Sequence, residues 1–124
     1  MPQVCKSSND KTKAEALGQV GKQYHHIGDY ETALEYLKQS LAIQQEIGDK
    51  AGLCFTLFNI GHIYHQNEEV NEAMNAWINV YLIAKPMQLA QVLEALNRLA
   101  DDLGLSGGLQ AWEQLAKQFD VKAL

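Results

Sequence analysis

The side chains in this sequence that are most suited to metal binding or catalysis belong to three histidines. His62 and His65 are three positions apart, and His25 stands 40 positions before His65. Residues three apart share one face of an α-helix, so His62 and His65 are candidate ligands for a metal such as zinc. A zinc site needs three or four ligands, and the spacing assigns no further one. The hypothesis of an enzyme or metal-dependent regulator built on these histidines therefore stands beside a simpler interpretation, in which they are polar groups lining a groove.

No other motif of catalysis, cofactor binding or metal binding is recognisable. The carboxylate pairs of glycosidases, nucleophile elbows, phosphate-binding loops and zinc signatures are absent from the sequence. Cys5 and Cys54 are far apart and suggest neither a disulfide framework nor a metal motif. We therefore expect no catalytic residue, no cofactor, no metal site and a location in the reducing cytoplasm.

The composition narrows the class of partner. With 124 residues, of which 47% are hydrophobic and 20% charged, the chain suits a single soluble domain. Ten basic and fifteen acidic residues give a net charge of −5, which argues against a nucleic-acid partner because such partners require a basic stripe. No apolar run approaches the ~18 residues of a membrane span, so no membrane partner is expected. The polar segment 1–12 shows no period and is predicted to be a flexible arm, which leaves 13–124 as the domain.

The elements that position these side chains follow from an internal repeat. Residues 14–49 recur in degraded form 40 positions later, with large residues on large ones and small residues on small ones. Leu17 matches Leu57, and Gly21 matches Gly61. A fixed period of this size indicates stacked units in place of one central core. A third, weaker copy of the first helix starts near residue 86, so we predict an all-α protein of about six helices.

The helix boundaries are predicted from stop and start signals. Gly28 and Gly48 end helices in the left-handed conformation, and Asp29 and Asp49 cap the next ones. Pro86 marks the start of helix five. The predicted helices span residues 13–27, 30–47, 51–66, 70–84 and 86–103, with a sixth ending near 119. The predicted units are 13–52, 53–85 and 86–124, the last a degenerate capping unit. The buried stripe of helix one is predicted to comprise Leu17, Val20, Tyr24 and Ile27.

The repeat also resembles a known family. The pattern A-x-x-L-x-x-L/V-G-x-x-Y-x-x-x-G-D-Y-x-x-A, seen from residue 14, looks like the tetratricopeptide repeat. Its 40-residue form is similar to repeats of kinesin light chain and of large bacterial signalling proteins. The resemblance implies a right-handed superhelical stack of antiparallel helix pairs, a solenoid. The second copy departs from the pattern where Glu68-Glu69-Val70 replaces Gly28-Asp29-Tyr30. The structural repeat positions that the resemblance assigns are Gly21, Tyr24, Ala33, Gly61, Tyr64 and Ala73.

A concave groove lined by the first helix of each pair is the site that the resemblance implies. Some members of the family clamp the C-terminal carboxylate of a peptide with asparagine, lysine and arginine at such positions. Asn59 and Arg98 match that clamp, Lys22 sits where another asparagine would be, and Gly18 and Glu94 replace its lysines. The candidate peptide-binding residues are Lys22, His25, Phe55, Phe58, Asn59, His62, His65 and Arg98.

Each of these residues also has an alternative interpretation. Asn59 can be a solvated helix residue, and Arg98 can pair with Asp101 or Asp102 on the surface. Phe55 and Phe58 can pack between adjacent units.

The function that follows is a protein-interaction module or scaffold without catalysis. It is expected to bind a partner through a peptide segment, with a C-terminal or acidic segment as the specific possibility. The alternative is a self-associating structural fragment of a longer array, which forms a homodimer through the apolar faces of its terminal helices.

Overall fold

The described residues form six α-helices, which follow one another along the chain, and contain no strand. The computed structural model describes the backbone of residues 2–119 and 121, and side chains from residue 9 onward. Antiparallel neighbours stack pair upon pair, which confirms the predicted all-α repeat architecture. The helices are α1 (Pro2–His26), α2 (Tyr30–Ile47), α3 (Lys50–Gln66), α4 (Val70–Met87), α5 (Ala90–Asp102) and α6 (Leu109–Gln118).

The turns on either side of α2 confirm the predicted stop and start residues. Gly28 and Gly48 have φ of +86° and +74°, the left-handed region that glycine adopts at little cost. Asp29 then accepts a hydrogen bond from the Thr32 amide at 3.2 Å, and Asp49 accepts one from the Gly52 amide at 3.0 Å. Each carboxylate satisfies an amide that the first helical turn leaves without a partner.

The turn between α3 and α4 keeps the same backbone geometry with different residues. Glu68 occupies the left-handed position at φ 64°, where the first pair has Gly28. The Glu69 amide donates to the Tyr64 carbonyl at 2.8 Å, as the Asp29 amide donates to the Tyr24 carbonyl at 3.0 Å. The side chain of Glu69 caps nothing. The departure from the family pattern therefore replaces the favourable residues of the turn and leaves its path unchanged.

Glycine allows the two helices of each of the first two pairs to cross closely. A Cβ atom on Gly21 would lie 2.9 Å from Leu37 Cγ, and one on Gly61 would lie 2.7 Å from Trp77 Cδ1. Real Cβ atoms do not approach neighbours this closely without a shift of the neighbour. Gly21 and Gly61 therefore occupy equivalent crossing sites, as the 40-residue register predicts. Ala33 and Ala73 are fully buried at the matching positions on α2 and α4.

Two tryptophans fix the second and third helix pairs. Trp77 and Trp112 are fully buried, with ring centroids 6.2 Å apart. The Trp77 indole N–H donates to the Phe58 carbonyl at 3.2 Å, and the Trp112 indole N–H donates to the Leu96 carbonyl at 2.8 Å. A buried indole N–H needs an acceptor, so each bond ties the second helix of a pair to the first.

The predicted helix boundaries are wrong at two places, the start of α1 and the junction of α4 with α5. α1 is helical from Pro2, not from residue 13, because no glycine or proline interrupts the chain between Pro2 and Gly18 and proline is tolerated in a first turn. The mobility of segment 1–12 stays a prediction. Pro86 lies inside the last turn of α4 and does not start helix five, which begins at Ala90. The left-handed residue Gln88, at φ 55°, ends α4 instead.

The predicted buried stripe of α1 is also wrong in part. Ile27 is 75% exposed, and Leu17, Val20 and Tyr24 are only half-buried. Their α3 counterparts Leu57 and Ile60 are buried because α2 packs beside α3. Within the part of the chain that the structure describes, no helix packs in the same way on α1.

Candidate functional site

An open cleft of about 430 Å³ lies between α1 and α3, with α2 beneath it. Three of the sequence-predicted groove residues meet there, namely Lys22 from α1 and Phe55 and Asn59 from α3. The cleft is also lined by Lys11, Ala14, Glu15, Gly18, Gln19, Leu37, Ser40, Gln44, Asp49, Ala51, Gly52 and Thr56. The first helices of the first two units thus form the walls of this cleft.

The floor of the cleft is made of buried polar side chains. Ser40 Oγ donates to the Ala14 carbonyl at 2.7 Å and so links α2 to α1. Thr56 Oγ1 donates to Gln44 Oε1, also at 2.7 Å, and links α3 to α2. Ser40, Gln44 and Thr56 are exposed by only 1%, 6% and 5%. Burying polar groups costs free energy unless they are hydrogen-bonded, and here the bonds hold the two walls to the floor.

Gly52 leaves room for two polar groups at this floor. A Cβ atom on Gly52 would lie 2.7 Å from Gln44 Nε2 and would collide with the Asp49 carboxylate. Because Gln44 Oε1 already accepts from Thr56, the Nε2 group is the part of the amide that can donate to a ligand. A donor and a carboxylate acceptor therefore lie side by side next to Gly52.

Phe55 stands between this cleft and a second one. Its side chain is 56% exposed, an unusual exposure for a large aromatic residue. The second cleft, of about 270 Å³, lies where the α4–α5 turn meets α3 and shares Ala51 and Phe55 with the first. Phe58 is half-buried, and its ring contacts the His62 ring at a centroid distance of 4.9 Å. Of the two phenylalanines, Phe55 is the one that is accessible from both clefts.

The three histidines form a cluster across the first two units. His25 of α1 is hydrogen-bonded to Gln66 of α3, and the rings of His62 and His65 lie 5.3 and 5.6 Å from the Trp77 ring. Burial lowers the pKa of His62 from its ordinary value of 6.5. The neighbouring His25 and His65 lower it further, and Asp102 opposes them. His62 thus favours its neutral form.

The metal hypothesis for these histidines has no support from the geometry. Among the described residues, no group of three or more His, Cys, Asp or Glu side chains is placed to hold a metal ion. Cys54 is buried, and burial raises the pKa of its thiol to about 11 against a smaller opposing effect of Lys50. Such a thiol is protonated near neutral pH, and the protonated form is a poor nucleophile.

Arg98 is separate from the cleft. Its side chain on α5 is 77% exposed and forms an ion pair with Glu94 at 2.8 Å. The alternative interpretation of Arg98 as a residue paired on the surface thus has Glu94 as the partner in place of Asp101 or Asp102, because Glu94 lies one helical turn before Arg98 on the same face. Asn59 lines the cleft and Arg98 does not, so the two residues that matched the clamp do not meet in this cleft.

The sequence analysis missed the floor residues. Ser40 and Gln44 stand 40 positions before Val80 and Ala84, which are fully buried in α4. Polar residues at positions that are apolar in the second unit are a signal that the repeat alignment contains. The same comparison identifies Thr56, a polar residue of the second unit that stands 40 positions after the apolar Ala16 of the first.

Stacked antiparallel helix pairs with glycine at the crossings define a helical-repeat protein. A family model described as tetratricopeptide repeat matches residues 12–76, which is 65 of the 124 residues. The chain therefore belongs to the tetratricopeptide repeat family. Searches of curated proteins and of solved structures returned no match to this chain. In the part of the chain that the structure describes, no helix is both long enough and apolar enough to cross a bilayer.

Proposed function

We propose that the chain is a protein-interaction module that holds an extended peptide segment of a partner in the cleft between α1 and α3. Membership of the tetratricopeptide repeat family supports binding of a protein partner. The observation that carries the proposal is the buried polar floor, where Gln44 and Asp49 adjoin Gly52. An extended peptide presents carbonyl acceptors and amide donors that a neighbouring donor and acceptor of this kind can satisfy.

The walls of the cleft favour a peptide with an acidic group. Lys11 and Lys22 offer two ammonium groups, and Asn59 offers an amide that both donates and accepts. Glu15 and Asp49 provide opposite charge in the same cleft, which opposes a uniformly acidic ligand. A single carboxylate directed at Lys22, from an acidic side chain or a C-terminus, fits this arrangement best.

Phe55 is the apolar anchor in this proposal. A peptide that continues from the first cleft into the second passes over its ring, because both clefts contain Phe55. Accessible aromatic residues beside a pocket often contribute most of the binding free energy of an interface. The Phe58 ring packs on the His62 ring, and the Phe58 carbonyl accepts the hydrogen bond from the Trp77 indole. We therefore assign Phe58 a structural role.

Catalysis is not part of the proposal. The histidines are engaged with Gln66 and Trp77, and the thiol of Cys54 is buried with a raised pKa.

The test is to select peptides from a random phage-displayed library against the full chain and to map the selected peptides by NMR titration. We expect the largest amide shifts at Gly52, Phe55 and Asn59. Phe55→Ala should weaken binding by about 30-fold, the equivalent of ~2 kcal/mol for an aromatic anchor. Asn59→Ala should weaken it by about 2- to 10-fold, the range for one net hydrogen bond.

The matched control is Arg98→Ala, since Arg98 is exposed and lies outside the cleft. It should leave the affinity unchanged. Unchanged affinity in both the Phe55→Ala and Asn59→Ala variants would contradict the proposed site. A loss confined to Arg98→Ala would favour the carboxylate clamp that the family resemblance implies.

A further inference from the structure

The outer face of α1, formed by Leu17, Val20, Gln23, Tyr24 and Ile27, is an apolar surface outside the cleft. A shallow depression of about 330 Å³ is lined by four of these residues, and Ile27 is 75% exposed. None of the five carries a charge. The Tyr36 ring of α2 extends the surface, because it stacks on the Tyr24 ring. The two ring centroids are 5.6 Å apart, and the angle between the ring planes is only 5°.

The equivalent face of α3 shows how the fold treats such a surface. Leu57, Ile60 and Ile63, which stand 40 positions after Leu17, Val20 and Gln23, are exposed by 3%, 4% and 0%. The neighbouring helix α2 lies beside this face, where Lys38 Nζ sits 5.9 Å from the centroid of the Tyr64 ring. The same residue pattern is thus covered on α3 and uncovered on α1.

We propose that a second copy of this chain covers the outer face of α1, in a two-fold dimer with the two α1 helices antiparallel. An uncharged apolar face is complementary to itself, which is the requirement of a two-fold interface. A head-to-tail arrangement would place α6 of one copy on α1 of the next. The exposed side chains of α6 are polar or charged, so they do not match the face: Gln110, Glu113, Gln114, Lys117 and Gln118.

Charge complementarity favours the antiparallel direction. In a pairing centred on Val20, Lys13 stands seven residues before the centre and Ile27 seven residues after it. Lys13 of one copy therefore lies level with the C-terminal end of α1 of the other, where the last carbonyls and Asp29 are negative. Lys13 and Asp29 are both exposed and available for this contact.

The dimer leaves both peptide clefts open. Gly18 and Lys22 line the cleft from the opposite side of α1, away from Val20 and Ile27. The proposal does not depend on peptide binding. If both hold, two linked clefts would bind a repeated ligand more tightly than one cleft does.

The test is sedimentation equilibrium of the full chain over protein concentrations from about 1 µM to about 1 mM. We expect a mass that rises toward twice the 13.8 kDa of one chain. The Val20→Glu, Ile27→Glu double variant should stay at the mass of one chain with unchanged helicity. Because Val20 is half-buried, the single Ile27→Glu variant provides a second test that preserves the fold, and it should raise the dissociation constant at least 10-fold.

The matched control is Leu82→Glu, which places the same charge at another apolar residue that is 46% exposed on α4. It should dimerise as the wild type does. A wild-type chain that is monomeric at every concentration would overturn the proposal. A dimer that persists in the Ile27→Glu variant and dissociates in the Leu82→Glu control would overturn it too, since the interface would then lie on α4.

Discussion

Three helix glycines offer a direct measure of how closely the helices cross. Gly61 faces Trp77, whose fully buried ring is held by a hydrogen bond to the Phe58 carbonyl. A methyl group there would lie 2.7 Å from Trp77 Cδ1. Glycine to alanine in a helix gains ~1 kcal/mol of stability, whereas overpacking a rigid core costs ~1–3 kcal/mol. Because the buried, hydrogen-bonded Trp77 ring cannot move aside, the cost should lie in the upper half of that range, at ~2–3 kcal/mol, and Gly61→Ala should lower the free energy of unfolding by about 1–2 kcal/mol.

The two glycines of α1 provide matched comparisons. A methyl group at Gly18 has Ser40 Oγ as its nearest neighbour, at 3.9 Å, so Gly18→Ala should be stabilising by up to ~1 kcal/mol. A methyl group at Gly21 would meet Leu37 Cγ at 2.9 Å and the Ala33 carbonyl oxygen at 3.2 Å. The Leu37 side chain can adjust but the Ala33 carbonyl cannot, so the free energy of unfolding of Gly21→Ala should lie between those of Gly18→Ala and Gly61→Ala.

Urea unfolding followed by far-UV circular dichroism gives the free energies for this series. The stability should decrease in the order Gly18→Ala, wild type, Gly21→Ala, Gly61→Ala. If Gly61→Ala were as stable as the wild type, the close crossing of α3 and α4 would be refuted. If Gly18→Ala were destabilising, the position would be packed more tightly than the 3.9 Å separation indicates.

Three further predictions concern single residues. Glu68→Gly should raise the free energy of unfolding by about 0.5–1 kcal/mol, because Glu68 holds the left-handed conformation at φ 64° and glycine adopts it without strain; an unchanged urea midpoint would contradict this. Burial and nearby histidines lower the pKa of His62 below 6.5, so the unfolded chain binds that proton more readily and stability is lost as pH falls through 6.5. The melting temperature of His62→Gln should accordingly fall less than that of the wild type between about pH 7 and about pH 5, and parallel curves would argue against it. In a Cys5→Ser background, the buried Cys54 thiol with a pKa of about 11 should react with Ellman's reagent only after unfolding, and a rapid reaction of the folded chain would show that Cys54 is accessible.

The sequence was sufficient to predict the architecture because its information is local and repeated. Glycine stops and aspartate caps fix the turns around α2, and the 40-residue register predicts that Gly21 and Gly61 are equivalent. The position of Pro86 misled the boundary prediction, because α4 continues through this proline and ends one residue later at Met87, although proline is unfavourable inside a helix. The local pattern contains no information on where the next left-handed residue will be.

The candidate site was only partly predictable, because burial depends on which helix covers a face. The pattern of α1 matches that of α3, yet Val20 is half-buried and Ile60 is buried. Likewise, the polar identity of Gln44, taken without its register on Ala84, gave no indication that it is 6% exposed and bonded to Thr56. The burial of these side chains depends on how one unit stacks on the next, and the sequence of a single unit does not determine that stacking.

Gly18 connects the stability of the fold to the proposed site. Nothing in the packing requires a glycine there, since a methyl group would have no neighbour closer than 3.9 Å, and the glycine weakens α1 by ~1 kcal/mol relative to alanine. Its position on the wall of the cleft offers a reason, because a side chain at Gly18 would project over Ser40 and narrow the space for a ligand. Gly18→Leu should therefore keep or raise the melting temperature while it weakens peptide binding by at least 10-fold. The matched control is Ala16→Leu, which introduces the same side chain at an exposed residue of α1 that does not line the cleft, and it should leave the affinity unchanged. Full peptide affinity in a folded Gly18→Leu variant would mean that the ligand does not enter the cleft at this level.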